Sequence, residues 1–166
     1  MGLPDNVGFE EATFIEPINT ILKAVQKARV AANESSAVSS VRTIKTAEVM
    51  YYEAYPSVGY AAQLSHLGGP KPCTPSITTS CVLDDPLSNA GPGTGGKSGY
   101  VFVAVGSSTT GSGRNDEFVI GAAPIAPGMT GNRLFCATND DAIRTDPGPG
   151  STPVAAINAC KAYTPI

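Results

Sequence analysis

The chain has 166 residues, a net charge of −3 and charged side chains at only 15% of its positions. This length is typical of one domain with a core of its own. The weak, scattered charge excludes the basic patch that nucleic-acid binding requires, and no polybasic run is present to bind an anionic membrane. The 18 glycines and 14 prolines lie mostly after residue 55, which predicts a loop-rich second half.

Residues 9–54 have the pattern of one long helix, because apolar side chains recur at steps of three and four residues without an intervening glycine. Pro17 either kinks this helix or lies in its first turn, if the helix begins near Glu16. The helix has to end near Tyr55, because Pro56 disfavours helical backbone at the residue before it. A helix of more than 40 residues is unusually long, so about half of its length needs a packing partner other than the rest of its own domain.

Residues 56–98 show no strong period and predict turn-rich loop, with one short helical turn around 61–67. The sheet is predicted within 99–146, from β-branched and aromatic runs joined by short turns. The predicted strands, three of them and a short fourth, are 100–105, 117–124, 133–138 and 142–145. Residues 147–166 are predicted to be irregular coil. This order defines an α+β fold in which a small antiparallel sheet of three to four strands packs on one long helix.

The four cysteines point to two disulfides. None of them forms a C-x-x-C pair, and His66, the only histidine, does not form a close pair with any cysteine. A zinc site is therefore a poor interpretation. Three pairings are possible and the sequence does not choose among them. The two local pairings would each pin a segment rich in glycine and proline, and disulfides indicate an oxidising compartment. The cysteines are Cys73, Cys81, Cys136 and Cys160.

Residues 91–98 read GPGTGGKS and match the phosphate-loop pattern G-x-x-x-x-G-K-[ST]. A phosphate loop needs a strand before it and a helix after it. Here LDDPLSNA precedes the motif and the predicted strand 100–105 follows it, so we interpret the motif as a turn. His66 has no nucleophile partner, and no nucleophile–base constellation is present, which argues against an enzyme.

The stretch KARVAANESSAVSSVRTIKTAEVMYYEAYPSVGYAAQLSHLGG, residues 27–69, resembles type IV pilins and the related major pseudopilins, especially acidobacterial-type pilins. KSGYVFVAV, GNRLFC and AIRTD also resemble that family, so the resemblance covers roughly residues 25–166. It implies a long N-terminal helix joined to a globular head with an antiparallel sheet. It further implies that subunits polymerise into a filament at the cell surface, with their N-terminal half-helices bundled in its centre.

Site residues follow from the helical period and from this resemblance. We expect a helix–sheet core and leave open an exposed role for Tyr52 in the tyrosine cluster. No cofactor is expected, although some major pseudopilins bind calcium in a loop of the head. Asp140, Asp141 and Asp146 are the calcium candidates here, but Asn-Asp-Asp between two strands is ordinary turn chemistry. The expected core residues are Val38, Val41, Ile44, Tyr51 and Tyr55.

The N-terminus departs from the family. A pilin has a glycine and a phenylalanine followed by about 20 apolar residues, whereas Gly8 and Phe9 are followed here by several acidic residues, Pro17 and Lys23. No stretch of about 18 apolar residues and no signal-peptide core are found, which conflicts with the disulfides. We therefore expect residues 1 to about 24 to be an engineered polar replacement for the apolar half-helix or an appended segment.

The expected function is a structural subunit of an extracellular type IV pilus-like filament for adhesion, motility or DNA uptake. Its expected partners are further copies of itself and the pilus or secretion assembly machinery, with no nucleic acid. The alternatives are a major pseudopilin of a type II secretion system and a secreted module that binds a surface or a carbohydrate.

The native N-terminus distinguishes these alternatives. We predict that sequencing the genomic locus will reveal an apolar half-helix behind a Gly-Phe cleavage site. A native gene that encodes the same polar residues would contradict the expectation of an engineered segment, and an ordinary signal peptide would favour the secreted binding module.

Overall fold

A computed structural model gives the structure, which describes residues 12–166, with side chains from Glu16 onward. Helix α1 spans Ala12–Ala54 and is about 65 Å long at the usual helical rise. Pro17 lies inside α1, near its beginning, while the predicted start at residue 9 lies outside the described residues. No helix within residues 12–166 is both long enough and apolar enough to cross a membrane.

The rest of the chain, residues 55–166, forms the head. A 3₁₀ turn at Leu64–Leu67 agrees with the predicted turn. A second short helix, α2, spans Asp85–Ser88 and was not predicted. Its signal is present in the sequence, because an acid followed by a proline is typical of a helix start. In four residues, however, no hydrophobic period can develop.

The head contains five antiparallel strands in the order β1-β2-β3-β4-β5. The four predicted strands are present, but the expected total of three to four is wrong. The fifth strand pairs with Arg144 and Thr145 of β4, and it escaped prediction because two residues cannot show a period. A helix, α3 at Ile157–Lys161, also interrupts the predicted coil. The strands are β1 Tyr100–Ser107, β2 Glu117–Pro124, β3 Leu134–Thr138, β4 Ile143–Asp146 and β5 Thr164–Pro165.

Both faces of the sheet are covered. Side chains alternate along a strand, so Phe118 and Ile120 face α1 while Val119, between them, faces the other side. On that other side the C-terminal segment crosses the sheet so closely that a side chain at Gly121 would collide with the Val154 carbonyl. The sheet therefore has α1 as its cover on one face and the chain's own tail on the other, which explains why nearly all of β2 is buried.

The disulfides join Cys73 to Cys81 and Cys136 to Cys160, which are the two local pairings. The first closes a loop of the segment between α1 and β1. The second joins the middle of β3 to α3, and both of its cysteines are fully buried. The C-terminal segment packs on the sheet beside this bond through Val154.

The expected helix–sheet core differs in burial along its length. Val41, Ile44 and Tyr51 are buried, whereas Val38 and Tyr55 are half-buried at the edge of the same cluster. The Tyr51 hydroxyl donates a 2.6 Å hydrogen bond to the backbone carbonyl of a residue in the Cys73–Cys81 loop. Tyr51 therefore also anchors the loop that precedes the sheet.

We predict that removing the second disulfide with Cys136→Ala and Cys160→Ala will loosen residues 147–163. The bond closes a loop of 24 residues and contributes roughly 3 kcal/mol on chain-entropy grounds. Limited proteolysis and hydrogen exchange should show faster cleavage and exchange there. The control, Cys73→Ala with Cys81→Ala, should loosen only its own loop; unchanged protection of residues 147–163 in the first variant would contradict the prediction.

Candidate functional site

One side of α1 faces away from the head along most of the helix. Positions seven residues apart lie on nearly the same helical face, and two such series are exposed from end to end. We call these positions, together with Leu22, the outward face. The first series is Ile18, Val25, Ala32, Ser39 and Thr46, and the second is Ile21, Ala28, Ser35, Arg42 and Val49.

The first part of the outward face is apolar. Ile18, Ile21, Leu22 and Val25, which we call the apolar stripe, are 55%, 62%, 60% and 59% exposed. Large apolar side chains that adjoin one another on a surface mark sites of interaction with another molecule. Beyond the stripe the outward face continues with alanines and serines as far as Ser39, and these small side chains allow a second helix to approach closely.

A groove of about 620 Å³ lies next to the stripe, between α1 and the loop 125–132 of the head. The Gln26 amide donates a 2.5 Å hydrogen bond to the Met129 carbonyl, and the Asn33 amide donates one of 2.9 Å to the Thr130 carbonyl. The Met129 side chain is 65% exposed at the mouth. The residues that line the groove are Leu22, Lys23, Gln26, Lys27, Val30, Gly128, Met129 and Asn132.

Glu34 anchors α1 to the head just above this groove. One carboxylate oxygen accepts a hydrogen bond from the Asn132 backbone N–H, and the other accepts from the Arg133 guanidinium, each at 2.8 Å. Glu34 is 6% exposed, whereas the Arg133 side chain is 44% exposed, so only the acid of this ion pair is shielded from water. Both hydrogen bonds are directional, so they restrict the rotation of the helix about its axis.

Glu48 is a second buried acid on the same side of α1. One of its carboxyl oxygens accepts a 2.8 Å hydrogen bond from the Ala61 backbone N–H, just after the helix ends. The other oxygen is buried and has no hydrogen-bond partner within the described part of the chain. Burial raises the pKa of the Glu48 carboxyl to about 8, and the hydrogen bond from Ala61 opposes this only in part. The carboxyl is therefore mostly protonated at neutral pH.

Sequence reasoning missed both acids, although a signal was available. Glu34 and Glu48 fall at the same steps of three and four residues as the core positions Ala37, Val41 and Ile44. An acid at a core position is costly without a partner, so its presence there predicts a specific contact. The partners themselves, in loops far along the chain, leave no mark in the local pattern.

The three calcium candidates are not brought together. Two hydrogen bonds from the Arg144 guanidinium, at 2.6 and 3.0 Å, lower the pKa of Asp140 to about 2. Asp141 is exposed with its carboxylate 3.5 Å from the Lys45 ammonium, and Asp146 accepts a hydrogen bond from the backbone of a nearby glycine. Within residues 12–166 no group of three acidic, histidine or cysteine side chains could hold a metal ion.

The GPGTGGKS segment forms a turn that leads into β1. The Lys97 backbone pairs with the Tyr100 backbone in both directions, and Ser98 adopts a left-handed conformation with φ 49°. The Lys97 ammonium donates a 3.1 Å hydrogen bond to the Ser40 hydroxyl on α1, and the Ser36 hydroxyl donates to that of Ser98. The segment thus ties the sheet to the helix, and a strand rather than a helix follows it.

The remaining candidates have structural contacts. The Arg114 guanidinium lies over the Tyr52 ring, 4.6 Å from its centroid, and donates a hydrogen bond to the Tyr52 hydroxyl. Tyr52 is consequently half-buried and also packs on Tyr60. His66 is half-buried in the 3₁₀ turn, and burial lowers its pKa. Neither residue belongs to the apolar stripe or to the groove.

Comparisons of the chain with protein-family models, curated proteins and solved structures found no significant match. The geometry of the described residues therefore has to carry the functional argument. It defines an α+β fold with a disulfide-bonded head and a long helix that exposes an apolar stripe.

We predict that Glu48→Gln will flatten the pH dependence of stability. The folded-state pKa of about 8 exceeds the usual 4.5, so the stability from protonated Glu48 is complete below pH 4.5 and is lost as pH rises through 8. Between these values the unfolding free energy of the wild type should fall, relative to the variant, by about 1.4 kcal/mol per pH unit. Denaturant titrations across this range measure the difference.

Glu53→Gln is the matched control, because Glu53 is an exposed acid just over one helical turn further on. Its stability should follow the wild-type pH dependence. An identical slope in wild type and Glu48→Gln would show that the buried carboxyl does not change its protonation on folding.

Proposed function

We propose that the chain is a structural subunit of an extracellular pilus-like filament, in which α1 helices of successive copies pack against one another. The observation that carries this proposal is the apolar stripe, because residues 16–24, which lie in the segment expected to replace the native half-helix, still present one apolar side. Four large apolar side chains adjoin one another on a part of the helix that the head leaves exposed, whereas the turns from Ala37 onward pack on the head. The helix therefore has one part for its own head and another that is free for neighbouring copies.

The energetics favour burial of the stripe. Covering each half-exposed side chain contributes roughly 1–2 kcal/mol, and several neighbours together offset the entropy cost of association. The residues from Glu16 to Val25 are exposed on every side, so they offer about 15 Å of helix to other copies. The small residues that follow allow close packing without rearrangement of the head.

The resemblance of residues 27–69 to type IV pilins supports the same function. Two disulfides form under oxidising conditions, which suits a filament outside the cell. In such a filament the loop 56–98 and the C-terminal segment 147–166 would form the outer surface. The assembly machinery of a pilus or of a secretion system would be its cellular partner.

We expect the double substitution Ile18→Asp and Val25→Asp to abolish filaments in cells that produce this chain as their only pilin-like subunit. A carboxylate in the helix bundle would be buried without a partner, which costs several kcal/mol. Electron microscopy with an antibody against the head should show a decrease of roughly tenfold or more in filaments per cell.

The matched control is Ile77→Asp, because Ile77 is similarly exposed, at 52%, but lies in the Cys73–Cys81 loop of the head. This variant should retain filaments, and both variants should keep the circular dichroism spectrum of the wild type. Wild-type cells that secrete the protein only as single copies would contradict the proposal and favour a secreted binding module.

A further inference from the structure

Strand β1 forms one edge of the sheet, because it is the first strand in the order of the sheet and its neighbour is β2. In an antiparallel pair, every second residue directs its backbone N–H and carbonyl away from the neighbouring strand. Phe102 is one of these residues, since its N–H donates to the Ala90 carbonyl and not to β2. Steps of two along β1 then give all the residues whose backbone groups face outward, namely Tyr100, Phe102, Ala104 and Gly106.

Other parts of the head cover three of these four positions. The turn before β1 pairs with the Tyr100 backbone, and the segment after α2 supplies the carbonyl that Phe102 bonds at 2.8 Å. At Gly106 the covering chain passes so close that a side chain would collide with the Ala61 carbonyl. The outward backbone groups of Ala104, in contrast, have no hydrogen-bond partner in the described part of the chain.

A slot of about 350 Å³ lies at this uncovered position. It is lined by β1 from Phe102 to Val105 and by parts of the two covering segments, residues 63–65 and 88–94. Ala104 is only 2% exposed, so its unpaired N–H and carbonyl are largely removed from bulk water. Such backbone groups are costly to leave without a partner, so the slot favours an occupant that supplies both an acceptor and a donor.

The lining of the slot carries no charged side chain. Gln63, Ser65 and Asn89 provide amide and hydroxyl groups, and Pro92 and Val105 provide apolar surface. The phenylalanine of the lining is 1% exposed, so it offers no ring face on which a sugar could stack. These groups suit the backbone of an uncharged peptide better than an anion, a metal ion or a carbohydrate.

We propose that this slot binds an extended, uncharged peptide segment of a partner protein, which adds to the edge of β1 as a short strand. The peptide donates an N–H to the Ala104 carbonyl and accepts a hydrogen bond from the Ala104 N–H, which is the pairing of strand addition. Phe102 and Gly106, at the two ends of the slot, lie about 13 Å apart along an extended strand, so about three peptide residues fit between the covering segments.

The source of the peptide follows from the pairing of the head. The four β-branched and aromatic runs of the head are already paired with one another in its own sheet, which favours a different protein as the source. None of the residues that line the slot belongs to α1. Peptide binding is therefore independent of the helix contacts in the proposed filament, and the head would recognise its partner whether or not copies assemble.

Titration of the isotope-labelled full chain with the tripeptide acetyl-Val-Thr-Val-amide tests the site. Its β-branched residues favour an extended strand and carry no charge. Amide spectra should show saturable shifts at Ala104 and in residues 63–65, with a dissociation constant of about a millimolar or lower. The same peptide N-methylated at every residue keeps its side chains but cannot donate to the Ala104 carbonyl, so it should bind about tenfold more weakly or worse.

A variant of the protein tests the place of binding. Ser65→Trp puts a large ring at an exposed position of the lining and should lower the affinity by about tenfold or more. Ser57→Trp is the matched control, because Ser57 is an exposed serine in the turn after α1 and does not line the slot. It should bind the peptide as the wild type does, and both variants should keep the dispersed amide spectrum of the folded head.

Each of the following results would overturn the proposed site. The absence of shifts at Ala104 with peptide on the order of 10 mM would mean that water alone completes the edge. Equal binding of the N-methylated peptide, or an equal loss in Ser57→Trp, would show that the contact does not use the Ala104 backbone. Shifts at Ala104 that depend on protein concentration without peptide would assign the slot to a second copy of the chain.

Discussion

The orientation of α1 depends on two buried carboxyl groups. Glu34 accepts hydrogen bonds from the Asn132 backbone and the Arg133 guanidinium, just before β3. Glu48, which lies 14 residues after Glu34 on α1, accepts one from the Ala61 backbone, just after the helix ends. Hydrophobic contacts alone are not directional, and the helix could rotate over them at little cost. Two hydrogen-bonded acids at different positions along α1 fix the rotation of the helix about its own axis. That rotation directs Ser35, Ser39 and Arg42 away from the head, whereas the apolar stripe lies on turns that the head does not cover.

Because both faces of the sheet are covered, the core of the head is complete without the exposed first part of α1. The C-terminal segment, held by Cys136–Cys160, shields the face that α1 does not reach. The sheet therefore needs no second subunit to complete its core. Residues 16–25, in contrast, contribute nothing to that core and are available for contacts between copies. The stability of the head and the proposed assembly thus depend on different residues of the same chain.

Local patterns predicted the elements with strong periods. The end of α1 followed from Tyr55-Pro56, and four strands followed from their β-branched and aromatic runs. Long-range contacts could not be predicted in this way. The groove depends on Gln26 meeting Met129 across 103 residues, and β5 exists only because the tail returns to β4. The cysteine pairing could not be predicted for the same reason, because four cysteines allow three pairings and the local sequence does not distinguish them.

The small strand β5 has a consequence for how the protein avoids incorrect association. An uncovered sheet edge is a template on which other chains add strands and aggregate. At the β4 edge, residues Thr164 and Pro165 occupy part of that template, and the proline cannot donate a backbone hydrogen bond to a further strand. The chain's own tail thus blocks the addition of further strands at this edge, so the β4 edge does not compete with the helix contacts of the proposed filament.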